Sequence, residues 1–238
     1  MKNIAANLIL ALCAIVFSTS CGTGKVPEAG SAEAAAQLQK DLKGTYEELF
    51  SENTSLNPKW DAYWLSECEK AVGAEAAQST VEALKASMSG TLTGEAATEC
   101  FGDGADGWRN GFQFNCDFKQ GVSRFVFDGK GGIKGLDASG NEIFSHEYVF
   151  DSYNADYDFY FFNSKDGNED EFRCFAMRSD TPAGTHHIEF RYGTDIESLS
   201  EFCTGKYAYW MAAGVLESSD SEQQESIRIF VEENTSQD

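Results

Sequence analysis

The sequence predicts a mainly β (α+β) domain: an antiparallel meander closed into a small β-barrel, with helices ahead of the sheet and one helix behind it. Three observations carry this expectation. The chain of 238 residues holds 18 Phe, 9 Tyr and 22 Gly but only 3 Pro, a mix that suits turn-rich antiparallel sheet better than a helical bundle. From about residue 108 the apolar period becomes two: Phe112, Phe114, Cys116 and Phe118 alternate with polar residues, as on a half-buried strand. Turn signals then recur at hairpin spacing, at Asp128-Gly129, Ser139-Gly140-Asn141 and Asp166-Gly167.

The elements follow in order. Ala32 to Leu42 reads as a helix. Asn57-Pro58 opens a second, with Asn as N-cap and Pro at the first helical position. Trp60, Tyr63, Trp64, Cys68 and Val72 recur on it at helical spacing. Glu75 to Met88 is a third, carrying Val81, Leu84 and Met88, and Ser89-Gly90 ends it. The strands come next: Ile133–Leu136, a strand through Phe144, His146, Tyr148 and Phe150, then Tyr157–Phe162, Phe172–Met177 and His186–Tyr192. The sheet is expected to close on itself within residues 108–192. The segment 221–234 has Ile227, Phe230 and Val231 on one side and reads as a closing helix.

The first residues read as an address. Lys2 supplies a positive start, and Ile4 to Phe17 is apolar but shorter than the roughly 20 residues that span a bilayer. Ser18-Thr19-Ser20 then precede Cys21 and Gly22. This resembles a bacterial lipoprotein signal, with residues 1–20 as the signal peptide and Cys21 as the lipidated residue. Residues 21–33 are small, polar and carry Pro and Gly, as a tether does. The remaining 34–238 form one domain. The expected location is the cell envelope, lipid-anchored and extracytoplasmic, at the cell surface or in the periplasm.

Charge narrows the partners. With 18 basic and 39 acidic residues the net charge is −21. Phosphate recognition needs clustered Lys and Arg, so nucleic acid is excluded as a partner. Attachment to anionic lipid by charge alone is disfavoured too, which leaves the lipid anchor as the membrane contact. Beyond Cys13 and Cys21, five cysteines remain: Cys68, Cys100, Cys116, Cys174 and Cys203. They show no CxxC or CxxH spacing, which argues against a zinc knuckle. Outside the cytosol they can form at most two disulfides, in a pairing that the sequence leaves open.

Two segments carry candidate chemistry. Asp166-Gly167-Asn168-Glu169-Asp170 places oxygen ligands at alternate positions. An EF-hand would need Gly where Glu171 sits and Glu where Met177 sits, so a solvated hairpin tip is the better reading. No GxSxG, phosphate loop or dinucleotide fingerprint is present, and no catalysis is implied. The second segment, Thr185 to Gly193, holds His186 and His187, two of the chain's three histidines. On a strand, His187, Glu189 and Arg191 share one face, with His186, Ile188, Phe190 and Tyr192 on the other. Residues two apart lie about 6.5–7 Å apart on one side. An imidazole and a carboxylate there can therefore converge on one cation. The plainer alternative is a polar outer face on which Arg191 neutralises Glu189.

The same segment resembles the C-terminal signature of the ZinT (YodA) zinc-binding family. The resemblance rests on Asp180-Thr181-Pro182 followed by His187, Ile188, Glu189, Phe190 and Gly193. Leu42-Lys43-Gly44-Thr45-Tyr46-Glu47-Glu48-Leu49-Phe50 is similar to that family's opening barrel motif, with Tyr46 in place of Trp. The resemblance covers roughly residues 40–215. It implies a lipocalin-like, calycin β-barrel and extracytoplasmic capture of a divalent metal, zinc first, with a metal transporter component as a candidate partner. Carried over, the family's middle ligand is His187, and the next falls on Glu189. The remaining ligand position falls on Arg178, whose guanidinium donates only and cannot ligate. His186 or His146 would then have to complete the set. His146, on a strand face with Phe144 and Tyr148, reads by itself as a barrel-wall histidine. The expected metal residues are His187, Glu189 and His186. The rival expectation is a calycin-type barrel that binds a small apolar ligand or a protein partner without metal.

Overall fold

A computed structural model describes residues 27–49, 57–88, 118, 120–180, 187–202, 212–217 and 219–236. Eight strands form a closed antiparallel barrel in sequence order. They are β1 (Gly44–Glu48), β2 (Arg124–Phe127), β3 (Gly132–Leu136), β4 (Glu142–Asn154), β5 (Phe159–Ser164), β6 (Cys174–Asp180), β7 (His187–Gly193) and β8 (Ala212–Leu216). The helices are α1 (Ala32–Asp41), α2 (Asp61–Val72), α3 (Ala74–Met88), α4 (Ile196–Phe202) and α5 (Asp220–Thr235). This is the closed barrel with accompanying helices that the strand pattern predicts, and it is consistent with a lipocalin-like architecture. Among the described residues no helix is long and apolar enough to cross a membrane.

Closure differs from the expectation in one respect. It does not occur within residues 108–192. β1 pairs with both β2 and β8, and β8 pairs with β7. The opening Gly44-Thr45-Tyr46 stretch is thus the staple between the two ends of the meander. A helix also lies outside the expected flanks, because α4 sits between β7 and β8. The alternating run Phe112–Cys116 lies outside the described residues. Its last member, Phe118, packs its ring 4.9 Å from Phe125 and 5.2 Å from Phe190.

The barrel interior is aromatic because the inward positions of consecutive strands carry rings. Phe125, Phe127, Phe144, Tyr148, Phe162, Phe175 and Phe190 are buried in one cluster with Tyr46, Ile133, Met177 and Ile188. Phe125 is its hub, 4.9 Å from Phe190 and 5.9 Å from Phe175 in edge-on contacts, the arrangement that aromatic quadrupoles favour. Gly135 makes room for this packing. A Cβ there would lie 2.3 Å from Phe144 Cε1, so the glycine lets that ring lie against the β3 backbone. Outside the sheet, Phe159, Phe161, Cys174 and Ala176 form a second apolar face, covered by Leu199 of α4.

Helices complete two further faces. α1 starts where the Ser31 hydroxyl accepts the Ala34 N–H, a side-chain N-cap. It places Ala35 and Leu42 in the barrel cluster, with Ala34 and Leu38 against it. Just before it, the Gly30 N–H donates to the Tyr160 hydroxyl at 3.1 Å. Gly30 has φ +77°, and a Cβ would fall 2.5 Å from Tyr153 Cδ1. The chain therefore docks on the barrel from Gly30 onward, inside the last residues of the tether segment. Asn57 caps as expected, its side chain accepting the Lys59 N–H, though Pro58–Trp60 is a 3-10 turn before α2 begins. Trp60, Trp64, Cys68, Val81, Leu84, Ile227 and Val231 join α2, α3 and α5 in a separate core. The Trp60 indole N–H donates to buried Gln223 at 3.0 Å.

Candidate functional site

The β6–β7 ladder carries the residues singled out for metal. Its register places Ala176 opposite Arg191, Arg178 opposite Glu189, and Asp180 opposite His187. Alternation then divides the strand as the sequence predicts. Ile188 and Phe190 are buried in the barrel interior, so positions 187, 189 and 191 belong to the outer wall.

Glu189 is already engaged. Arg178 donates from Nε to Glu189 Oε2 at 2.7 Å and from a terminal nitrogen to the same oxygen at 2.5 Å. A further Arg178 N–H donates to the Tyr157 carbonyl at 3.1 Å. The guanidinium lies 5.0 Å over the Phe159 ring. Both side chains of the ion pair are only about one-fifth exposed, 23% and 21%, so water screens the pair weakly. The plainer alternative put a neutralising arginine on Glu189, but from Arg191 two residues along the same strand. It comes instead from Arg178 across the ladder, and Arg191 is itself buried.

Zinc is commonly held by three protein ligands in open sites. Here the Arg178 guanidinium, which cannot ligate, already holds the Glu189 carboxylate. Among the described residues no group of three His, Cys, Asp or Glu could hold a metal ion. His186 lies outside those residues, as does Cys21. What the ladder adds is Asp180, directly opposite His187. Imidazole nitrogen with carboxylate oxygen is a donor set that zinc accepts. Asp180 opens the signature run in the sequence, but its pairing with His187 is set by the ladder register.

A second constellation closes the opposite end of the barrel, where β5 turns into β6. His146 is 7% exposed and inward-facing on β4, the barrel-wall position expected of it. Its Nδ1 lies 2.8 Å from Asp166 Oδ2 and its Nε2 lies 2.9 Å from Asp170 Oδ2. The acidic turn is therefore more than a solvated tip. Its alternate-position side chains wrap an imidazole. Because the two carboxylates meet opposite sides of the ring, they cannot join the imidazole on one cation. Partial burial pushes the Asp166 carboxyl upward, but the hydrogen bonds from His146 and Ser164 outweigh it and hold it below its ordinary value. Tyr148 donates to the Phe172 carbonyl, and burial, then Asp170 and Asp166, push its phenol upward.

The cysteines are partly resolved. Cys68 and Cys174 are buried free thiols. Burial pushes Cys68 up to about 11, helped by Glu67. Burial also raises Cys174, whose thiol donates to Asn163 Oδ1 at 3.0 Å. Of the two disulfides that the cysteine count allows, one at most remains, among Cys100, Cys116 and Cys203, which lie outside the described residues.

An open cleft of about 440 Å³ borders His146, with Asp128, Lys134, Glu147, Lys165 and Asp166 among its lining. Its walls carry charges of both signs beside the apolar Val126 and Ile133.

No family model and no curated protein match this chain. Among solved structures, zinc(II)-bound AdcA from Streptococcus pneumoniae is similar over 87% of this chain, with 11% identity and a TM-score of 0.42. The match covers 40% of that protein, so this chain spans less than half its length. A likeness so distant assigns neither family nor ligand.

Proposed function

We propose that this chain is an extracytoplasmic binding protein, lipid-anchored at Cys21, that captures a divalent metal, zinc first, at the β6–β7 end of a calycin-like barrel. The observation that carries the reading is the opposition of Asp180 and His187 in the ladder. Residues of the two types that zinc accepts, a carboxylate and an imidazole, are thereby register partners at the end of the ladder, and His186 is the adjacent residue in sequence. Glu189 is a reserve ligand, because binding through it requires displacing Arg178. The site is thus an altered form of the one that the sequence resemblance implies, with an oxygen donor brought in across the ladder. Its role is capture rather than catalysis, and a metal transporter component is the partner class that fits such a role.

The rival small-ligand reading is less well supported. The barrel interior is occupied by rings in mutual contact, such as Phe125 with Phe190 and Phe144 with Phe172.

Calorimetric titration of zinc into the metal-free protein tests the proposal. One site is expected, with affinity that falls as the pH drops through about 6–7, because protons compete for imidazole nitrogen. His187→Ala should abolish it, and Asp180→Asn should weaken it by about tenfold or more. Absence of zinc binding by the intact protein would reject the metal reading.

A further inference from the structure

In a chain this acidic, most basic side chains are taken up by carboxylates. Eight lysines lie among the described residues. Five are ion-paired: Lys59 with Asp220, Lys70 with Glu67, Lys85 with Asp61, Lys134 with Glu142 and Lys165 with Glu147. The other three, Lys40, Lys43 and Lys130, are exposed and pair with no carboxylate among the described residues.

These three share one corner. Lys40 lies in the last turn of α1 and Lys43 just beyond it, while Lys130 belongs to the β2–β3 turn. The Lys43 stem crosses that turn, since a Cβ on Gly129 would lie 3.0 Å from Lys43 Cβ. Gln39 of the same helix end meets Gly131, where a Cβ would lie 3.5 Å from its Nε2. Two carboxylates share the corner, and both are engaged locally. Asp41 accepts from Gln37, and Asp128 accepts the Lys130 and Gly132 N–H groups. The negative end of the α1 macrodipole accounts for Lys40, but not for Lys43 and Lys130, which lie outside the helix.

The corner belongs to the barrel end at which the chain arrives from its N-terminus. Antiparallel order places the start of β1, the β2–β3 turn, the β4–β5 turn and the end of β6 together. The β3–β4 turn and the Lys165–Arg173 loop lie at the opposite end. α1 crosses the first end, from Gly30, docked on Tyr160, to Gly44, where β1 begins. Nine residues separate Cys21 from Gly30, a relaxed span of about 15–18 Å. From Tyr153, which packs on Gly30, β4 runs back to Glu142, about 36 Å of strand. A tether with half that span holds the α1 end nearer its anchor. The opposite end carries Asp137, Asp166, Glu169, Asp170 and Glu171 in its turns, which an anionic surface repels.

We propose that the Lys40–Lys43–Lys130 corner docks on anionic phospholipid headgroups and turns the α1 end of the barrel toward the bilayer; this rests on the lipid anchor proposed at Cys21. With a net charge of −21 the protein does not bind such a membrane by charge alone. An acyl anchor and a basic patch act together, the first by holding the patch near the surface and the second by orienting the domain. Each lysine close to an anionic surface contributes roughly fivefold, within a Debye length of about 8–10 Å. Asp180 and His187 lie at the same barrel end, so a captured ion would be held close to the bilayer.

The test uses the acylated protein in phosphatidylglycerol-rich vesicles doped with a headgroup-diazirine lipid, with photo-crosslinks mapped by mass spectrometry. Crosslinks to residues 40–43 and 128–131 should exceed those to 137–141 and 166–170 by about tenfold or more. The excess should shrink in neutral phosphatidylcholine vesicles, where only the tether acts. Lys40→Gln, Lys43→Gln and Lys130→Gln together should shrink it equally in anionic vesicles, with an unchanged melting temperature because the side chains are exposed. An excess that persists in the triple variant, or labelling centred on the opposite end, would overturn the proposal. An N-terminal peptide without an acyl group at Cys21 would refute the anchor and the orientation together. Acylation with labelling at the wrong end would refute the orientation alone. Zinc titration is independent of both.

Discussion

Arg178 and Glu189 face each other across the β6–β7 ladder and meet through one carboxylate oxygen, 2.7 Å from the guanidinium Nε. The pair sits on the outer wall, two register positions from the Asp180–His187 pair. It both removes a ligand position and occupies the neighbouring ligand. Replacing Arg178 by His should therefore act twice, freeing Glu189 and adding an imidazole. Zinc affinity measured by calorimetry should rise by roughly tenfold or more. If affinity is unchanged in a folded Arg178→His protein, metal is not bound on this face.

Removing the other partner tests the fold rather than the metal. Glu189→Ala leaves a guanidinium beside Phe159 and the Tyr157 carbonyl without its carboxylate. A cost of about 1–3 kcal/mol in urea unfolding is expected, the range for a partly covered charged hydrogen bond. A change under about 0.5 kcal/mol, as at an exposed pair, would show that water replaces the carboxylate freely.

The lipid anchor proposed at Cys21 should be separable from the fold. Docking on the barrel begins at Gly30, whose N–H reaches Tyr160, beyond Cys21 in the chain. Cys21→Ser should move the protein from the membrane to the soluble fraction with an unchanged melting temperature. Membrane association that survives the substitution would refute lipid attachment at this residue.

The buried thiols should be inert in the native state. With the Cys68 thiol raised to about 11 by burial and Glu67, and Cys174 raised too, little thiolate forms at pH 8. Iodoacetamide followed by mass mapping should leave both unmodified until the chain is unfolded. The unfolded chain releases its thiol protons near 9. Rising pH between 9 and about 11 should therefore favour unfolding through Cys68, and Cys68→Ala should remove that part of the dependence.

Gly135 is a packing requirement of the Phe144–Phe172 stack. A Val there would drive its Cβ into Phe144, at 2.3 Å from Cε1, and Phe144 is backed by Phe172. Gly135→Val should expose Phe172 and lower stability by about 1–3 kcal/mol, the usual cost of overpacking. Phe172→Ala should cost about 3–5 kcal/mol. Denaturant unfolding measures both, and equal stability of Gly135→Val and the parent would show that the ring has room to move.

Local chemistry made much of the architecture legible from the residues alone. Alternation along Phe144–Phe150 and Ile188–Tyr192 separates wall faces, because strand side chains have a period of two. Asn57-Pro58, Asp128-Gly129 and Ser139-Gly140 mark boundaries, because a cap or a turn is decided by its own few residues. β8 and α4 were not read. Ala212-Ala213-Gly214-Val215-Leu216 has no alternation and little β-branching, and its pairing with β1 and β7 supplies what its own composition lacks. The candidate site was legible to the level of one strand, with His187 and Glu189 on a common face. Cross-strand partners were not. Arg178 rather than Arg191 on Glu189, Asp180 opposite His187, and Asp166 and Asp170 on His146 all depend on register and barrel closure. Ladder partners 7 to 11 residues apart in sequence become neighbours only when the hairpin sets its register, and His146 meets residues 20 and 24 positions away only when β4, β5 and the turn close together. Residue types and their period determined which groups this protein can use. The tertiary structure decided which of them meet, because a contact between strands is set by alignment and closure, neither of which is a property of either strand by itself.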